Sequence, residues 1–439
     1  MQVAVIGNGY LGTTHAACMA QIGHSVLGVD VDAEKIAKLQ SGEVPFFEPD
    51  LEGLLKENLA SGRLRFSTSY EEAAEFADVH FLAVGTPQST RGRGVDLSYV
   101  DGAIDALSPH LVRPTLIAGK STVPVGTAHR LAQQVRSVAP AGEAVELAWN
   151  PEFLREGFAV HDTLHPDRII VGVENGPQGR AIETLRELYR PILDATVPFM
   201  VTDLETSELV KMAANAFLAT KVGFINAIAD LCEAAGADVT LLADAIGADK
   251  RIGRRFLNAG LGFGGGCLPK DIRALITRAE ELGVGGSFAF LREVDNANMR
   301  QRRRIIDITG EICGSLIGTR VAILGAAFKP NTDDVRDSPA LSVAGQFELH
   351  GANVSVYDPK AMDNARKTLP SLDYALSSLD ACRGADVVLV LTEWEEFRNL
   401  QPRELAAVTR ANNIVDARNC LDPQKWRAAG WVYRSLGRA

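Results

Sequence analysis

A short apolar run, Val3 to Ile6, leads directly into Gly7-Asn8-Gly9-Tyr10-Leu11-Gly12, and Asp30 closes the next apolar run eighteen positions beyond Gly12. Few patterns restrict a fold as strongly. The first glycine permits a tight turn out of a strand, the second lets backbone approach a pyrophosphate, and the third lets helix and strand pack closely. The helix start then offers unpaired N–H groups and a positive dipole to phosphates. A strand–turn–helix–strand order of this kind predicts a doubly wound α/β domain that binds a dinucleotide. Asp30 would accept from a ribose 2′-OH and repel a 2′-phosphate, which predicts NAD rather than NADP. Lys35, five residues on, is either an adenosine contact or a solvated helix residue.

The same rhythm continues through SVLGVD (25–30), VHFLAV (79–84) and TLIAGKS (115–121), so Thr86, Ser121 and Thr122 fall at strand ends, where loops cover the cofactor crevice. From Thr202 the period becomes helical and runs to Ala235 without proline, with Gly223 as the internal breaker. Further helical stretches are expected at 239–246, 272–282 and 287–313. At Arg320 the pattern restarts with VAILGAAF, followed by a helical 338–350 and by NVSVYD, VVLVLT and NNIVDA. Its turn, GAAFKP, lacks the three-glycine fingerprint, so this unit is expected to hold something other than the dinucleotide. The predicted architecture is α/β: two doubly wound Rossmann-like domains, 1–201 and 315–439, joined by a long central helix and a helical dimerisation region, 202–314.

A formal charge of -10 argues against broad attraction to nucleic acid or anionic lipid, because both need an extended basic surface. No signal peptide is visible, and runs such as Val387 to Leu391 fall short of the roughly 20 apolar residues that span a bilayer. A cytoplasmic location is therefore expected. The cysteines at 18, 232, 267, 313, 382 and 420 show no CxxC pairing, which signals neither a disulfide framework nor a zinc site. His161 and His165 are four apart, but Pro166 follows and no second ligand pair appears, so no metal is expected.

One cysteine stands apart. GLGFGGGCLPKD places Cys267 after four glycines in six positions and just before Pro269, a residue favoured in the first turn of a helix. A helix start and the neighbouring Lys270 both favour thiolate, and backbone without side chains lets a ligand approach. In an NAD enzyme such a thiol has a specific meaning. It adds to an aldehyde to give a thiohemiacetal, loss of a second hydride gives a thioester, and water releases an acid. The other five cysteines sit in apolar patterns and read as core.

GNGYLG, STVPVGT, NPEFLREG, ELVKMAANAF, FGGGCLPKD and KPNTDDVRDSP occur in the order seen in the UDP-glucose 6-dehydrogenases and their relatives that act on other nucleotide-sugars. The resemblance covers nearly the whole chain. It implies Cys267 as nucleophile, Lys211 and Asn215 as the pair that steadies the reacting oxygen, Glu152 and Asp271 as carboxylates that handle water and protons, and Thr122 as the hydroxyl that positions the water. It implies Glu156, Lys270 and Arg336 as cofactor contacts beside Gly7 to Gly12, Asp30, Lys35, Thr86 and Ser121. For the nucleotide-sugar it implies Glu152, Phe153, Leu154, Lys211, Asn215, Phe256, Asn258, Gly264, Phe328, Lys329 and Arg418. Arg251 resembles an arginine that reaches the partner subunit's sugar site, which implies a homodimer or higher homo-oligomer.

The implied reaction is a four-electron oxidation of UDP-glucose to UDP-glucuronate with two NAD and one water. Leu268 departs from the phenylalanine that many UDP-glucose enzymes carry after the cysteine, which leaves TDP-glucose, UDP-N-acetylmannosamine and GDP-mannose as alternative substrates. An epimerase or dehydratase would need a tyrosine with lysine four residues later, and no tyrosine here has that partner. A nucleotide-sugar sensor without turnover would give Cys267, Lys211 and Asp271 no reason to coincide.

Overall fold

The strand expected before the glycine turn is β1 (Gln2–Ile6), buried along four of its five residues. In the computed structural model, which describes residues 1–439 except 91, 93, 175, 194, 195 and 439, β1 pairs in parallel with β2 (Ser25–Val29) on one side and with Val79–Leu82 on the other. Two compact units divide the chain, Met1–Ala214 and Asn215–Ala439. The Leu204–Ala235 helix runs unbroken through that division, so two Rossmann-like domains are linked by a long helix.

The first unit adds β3 (Leu64–Ser67), β4 (Val79–Leu82), β5 (Thr115–Gly119), β6 (Val145–Trp149), β7 (Ile169–Gly172) and β8 (Phe199–Thr202), in the order β3-β2-β1-β4-β5-β6-β7-β8. The strand order reverses between β1 and β4, and ligands of such sheets bind beyond the strand C-termini at that crevice. Apolar side chains from alternate positions feed two cores, one on each face of the sheet. One step differs from the expected all-parallel sheet: β6 meets β7 antiparallel, at Trp149 opposite Gly172. The connecting residues form a loop and a short helix, Ala159–Leu164, which brings the chain back in the opposite direction.

The second unit holds the expected helices, observed as Val239–Gly247, Leu268–Glu281 and Ala289–Cys313. Its sheet comprises β9 (Arg320–Leu324), β10 (Asn353–Tyr357), β11 (Asp373–Tyr374), β12 (Val387–Val390), β13 (Asn413–Asp416) and β14 (Val432–Ser435), ordered β11-β10-β9-β12-β13-β14 and parallel throughout. The edge strands β3, β8, β11 and β14 escape a sequence reading because each leaves part of its length exposed and lacks a continuous apolar run.

Among the described residues, Leu204–Ala235 is the helix long and apolar enough to cross a membrane by length and composition alone. Its apolarity owes much to Phe217, Phe224 and Leu231, which are spaced by seven residues and exposed at 66%, 52% and 63%. Two helical turns cover seven residues, so the three form one stripe.

Candidate active site

In the first unit the three glycines of the turn have separate reasons. Gly7 adopts φ +90, and a Cβ there would lie 2.7 Å from the Val84 backbone, so the turn closes against the strand end opposite. A Cβ on Gly12 would stand 1.7 Å from the Gly7 carbonyl oxygen, which brings the helix hard against the strand. Around Gly9 no described protein atom lies within 4 Å of that position. Packing does not require a glycine there, and the open space leaves room for a ligand to approach the backbone. Gly9 also caps the Tyr10–Gln21 helix without any side-chain hydrogen bond, leaving the helix N–H groups for phosphate.

Asp30 is buried at the end of β2 and accepts from Asn8 N–H at 2.7 Å and Asp32 N–H at 3.0 Å. Lys35 Nζ lies 2.9 Å from the same carboxylate, with the lysine side chain partly exposed. These residues fit a dinucleotide, with an Asp30 carboxylate able to accept from a ribose hydroxyl. The second unit repeats the device with a different outcome. Asp358, after β10, accepts from Ala326, Ala327, Lys360 and Ala361 N–H and from Trp394 Nε1. Five donors from its own chain leave that carboxylate no capacity for a ribose, in line with the incomplete glycine fingerprint there.

Also in the first unit, NPEFLREG leaves β6 at the sheet's carboxyl edge. Glu152 forms a buried ion pair with Lys211, Oε1 to Nζ at 2.8 Å, and its other oxygen accepts from Leu154 N–H at 2.7 Å. The Lys211 ammonium lies 5.6 Å from the Phe153 ring centroid, and the Arg168 guanidinium covers the same ring at 3.9 Å. Thr122 is half-buried beside buried Ser121, whose hydroxyl donates to the Val84 or Leu82 carbonyl and so ties the β5 and β4 ends together. Thr86 and Glu156 are buried.

In the second unit Cys267 is the N-cap of the Leu268–Glu281 helix, with Pro269 in its first turn. Of the six cysteines it is the exposed one. Burial pushes the Cys18 and Cys382 thiols up to about 12 and raises Cys313 and Cys420 as well, which keeps those sulfurs protonated and inert. The Lys270 ammonium lies 2.7 Å from buried Asp271, and Asp271 accepts from Asn215 Nδ2 at 2.6 Å on its other oxygen. Lys211 and Asn215 sit one turn apart on the Leu204–Ala235 helix.

The glycine tract is shaped by the 328–339 segment. A Cβ on Gly264 would collide with the Asp337 backbone, one on Gly265 with the Phe328 ring, and one on Gly266 with the Arg336 guanidinium, all at 2.3 to 2.8 Å. Phe328, Arg336 and the Asp337 backbone are thereby brought to the glycines preceding Cys267, with Arg336 paired to Asp334. Arg418 donates to the Gly262, Leu391 and Phe328 carbonyls, so it braces this wall from behind. Asn258 accepts from Arg254, Lys329 lies over the Phe328 ring, and Arg251 extends into solvent paired with Asp249. Phe256 and Asp337 hold positive φ of 65 and 45, conformations that cost about 1–3 kcal/mol each and persist where surrounding contacts impose them.

Several positioning residues were not found by motif reading. Buried Glu48 accepts from Gly157 and Ala159 N–H and from the Tyr10 hydroxyl. Glu208 accepts from Gly126 and Ala128 N–H, and burial pushes its carboxyl up to about 7. Asn226 and Asn298 hold the glycine loop at Gly260 and Phe263. Lys120 is buried after β5. Their common signal is a polar residue inside an otherwise apolar period.

Residues 1–193 match the NAD binding domain of the UDP-glucose/GDP-mannose dehydrogenase family, 205–300 its central domain, and 322–423 its UDP binding domain. A UDP-glucose 6-dehydrogenase of Rhizobium meliloti is 44% identical over the full length of both chains, and one of Bacillus subtilis is 39% identical over all of this chain and 98% of the relative. Among solved structures, a UDP-glucose dehydrogenase from Pyrobaculum islandicum is 38% identical with a TM-score of 0.92, covering 100% of this chain and 98% of that one. A UDP-D-ManNAc dehydrogenase from Pyrococcus horikoshii is 27% identical with a TM-score of 0.87, covering 100% and 99%.

Proposed function

Because the chain belongs to the UDP-glucose/GDP-mannose dehydrogenase family, we propose that it oxidises the C6 alcohol of UDP-glucose to the carboxylate of UDP-glucuronate, using two NAD and one water. The observation that carries this reading is Cys267, an exposed thiol at a helix start behind a glycine tract, while the other five cysteines are wholly or partly buried. A thiol of that kind has no use in a two-electron alcohol oxidation and a definite one in reaching the acid.

NAD on the Gly7–Gly12 turn supplies the hydride acceptor for each of the two oxidations. The Cys267 sulfur attacks the aldehyde carbon, forming the C–S bond of a thiohemiacetal. Lys211 and Asn215 donate to the reacting oxygen as its negative charge develops. After the second oxidation leaves a thioester, Glu152 takes a proton from a water held by Thr122, with Asp271 assisting. The new C–O bond forms as the C–S bond breaks, and the thiol is restored. In the second unit Phe328, Gly264, Phe256 and Asn258 are assigned to the nucleotide-sugar with Arg418 behind them, in the first Glu156, Thr86 and Ser121 are assigned to the cofactor, and Arg336 is a cofactor contact by the family resemblance alone.

UDP-glucose is favoured over other nucleotide-sugars because the full-length relatives named for it are more similar than the structure named for UDP-D-ManNAc. NADH release from UDP-glucose, TDP-glucose, UDP-N-acetylmannosamine and GDP-mannose tests this. Two NADH per UDP-glucose are expected, with little or none when NADP replaces NAD. Absence of NADH with any UDP- or TDP-hexose would end the reading.

The segments 1–201, 202–314 and 315–439 act as cofactor, helical and nucleotide-sugar domains. The Phe217, Phe224, Leu231 stripe packs against a second copy across a two-fold axis, where one patch is its own complement. Among the described residues the six cysteines form no disulfide, which suits a reducing cytoplasm. Phe224→Glu places a charge in the middle of the stripe and is expected to halve the mass measured by light scattering. A wild-type chain that already runs as a monomer would rule the dimer out.

A further inference from the structure

Lys120 is a buried lysine in the first unit for which neither cofactor binding nor the proposed chemistry has a use. It follows β5, a strand buried at every position, and is itself 6% exposed. Its Nζ lies 5.4 Å from the Phe81 ring centroid and 5.9 Å from that of Tyr189. It donates to Asn150 Oδ1 at 2.9 Å and to the Asn150 carbonyl at 3.3 Å. The Tyr189 hydroxyl donates to the same Oδ1 at 2.7 Å. Among the described residues no carboxylate is within ion-pair distance of it.

An ammonium held between aromatic rings and one amide is a poor structural choice, since an apolar side chain of similar volume would fill the space without desolvating a charge. Asn150 stands two residues before Glu152, whose carboxylate is paired with Lys211. The titratable groups facing Lys120 are Glu152, Lys211, His15 and Tyr189. Burial, with Lys211 adding to it, brings the Lys120 ammonium down to about 7, while Glu152 acts in the opposite sense. Burial and then Lys120 hold His15 neutral, and burial keeps the Tyr189 phenol protonated.

We propose that Lys120, seated on Asn150 two residues before Glu152, is a positioning residue that through its own charge sets how basic the Glu152–Lys211 pair is, while Tyr189 keeps hold of Asn150 without it. The inference rests on the reading of Glu152 as the group that takes a proton from water. With Lys120 protonated, two ammoniums face one carboxylate and oppose proton uptake by Glu152. With Lys120 neutral the three groups balance, and Glu152 becomes a better base. Acid formation therefore accelerates as pH rises through neutrality.

The test is the rate of acid formation in a single turnover from pH 6 to pH 9. The wild-type rate at pH 6 is expected to be roughly tenfold below that at pH 8, as one ionisation near neutrality gives. Lys120→Met, permanently neutral, should lose this ionisation and run faster than wild type at pH 6, with an unchanged or higher Tm. Lys120→Arg, permanently charged, should stay at the low plateau throughout, and KM should move less than about threefold in either variant. A lysine-labelled wild-type enzyme followed by NMR should show one side chain titrating near 7, a readout that needs no variant to fold. A wild-type pH profile in Lys120→Met, or equal losses of rate and Tm in both variants, would overturn the inference, as would lysines that all titrate near 10. If Glu152→Gln turns over normally, the reading of Glu152 itself falls; if only the Lys120 profile is unchanged, that reading stands.

Discussion

Replacing Cys267 by serine is expected to give a protein that folds and binds NAD and nucleotide-sugar, yet forms acid at least about 10³-fold more slowly. The fold should be indifferent, because Cys267 is exposed and its side chain makes no capping bond to the helix it begins. A serine hydroxyl at the same place is a far weaker nucleophile near neutral pH than a thiol. Without carbon–sulfur bond formation the aldehyde cannot enter the second oxidation, so the yield falls to at most one NADH per sugar. Stoichiometric NADH measured with excess cofactor checks this. Two NADH per sugar from the serine variant would remove the thiol from the mechanism.

Glu152→Gln is expected to stall one stage later. The enzyme should turn over about 10²- to 10⁴-fold more slowly, the range for losing a general base. It should also accumulate protein heavier by the nucleotide-sugar less the two hydrides and two protons removed, which intact mass detects as a thioester on Cys267. Stability should fall too. Glu152 and Lys211 form a buried pair at 2.8 Å, and removing one charge leaves the other uncompensated, a loss of about 3–5 kcal/mol when no substitute acceptor remains. The glutamine carbonyl still accepts from Lys211, so the variant should lie below that range and remain folded. Unmodified protein with full turnover would refute the role of Glu152. Cys267→Ser and Glu152→Gln together should behave as Cys267→Ser alone, because the thioester then never forms.

Much of this protein is written in local sequence. The turn at Gly7–Gly12, the acid at Asp30, the start of the helix at Cys267 and the long Leu204–Ala235 helix each depend on residues within a few positions of one another. Glycine freedom, proline at a helix start and apolar period act at that range. Eight of the ten inner strands were legible for the same reason, whereas inner β6 and β7 went unread, as did β3, β8, β11 and β14, partly exposed at sheet edges. The reversal between β6 and β7 was also hidden, because alternation along a strand says nothing about the direction of its neighbour.

The tertiary structure alone decided the charge environments. Glu152 with Lys211, Asn215 with Asp271, Lys35 with Asp30 and the lone Lys120 between Phe81 and Tyr189 are products of which elements pack together. So too is the contrast between Asp30, with two backbone donors and Lys35, and Asp358, filled by five donors of its own chain. A carboxylate or ammonium carries the same formal charge wherever it stands in a sequence. Its basicity depends on water lost and on partners gained, and both are set by atoms brought in from distant parts of the chain.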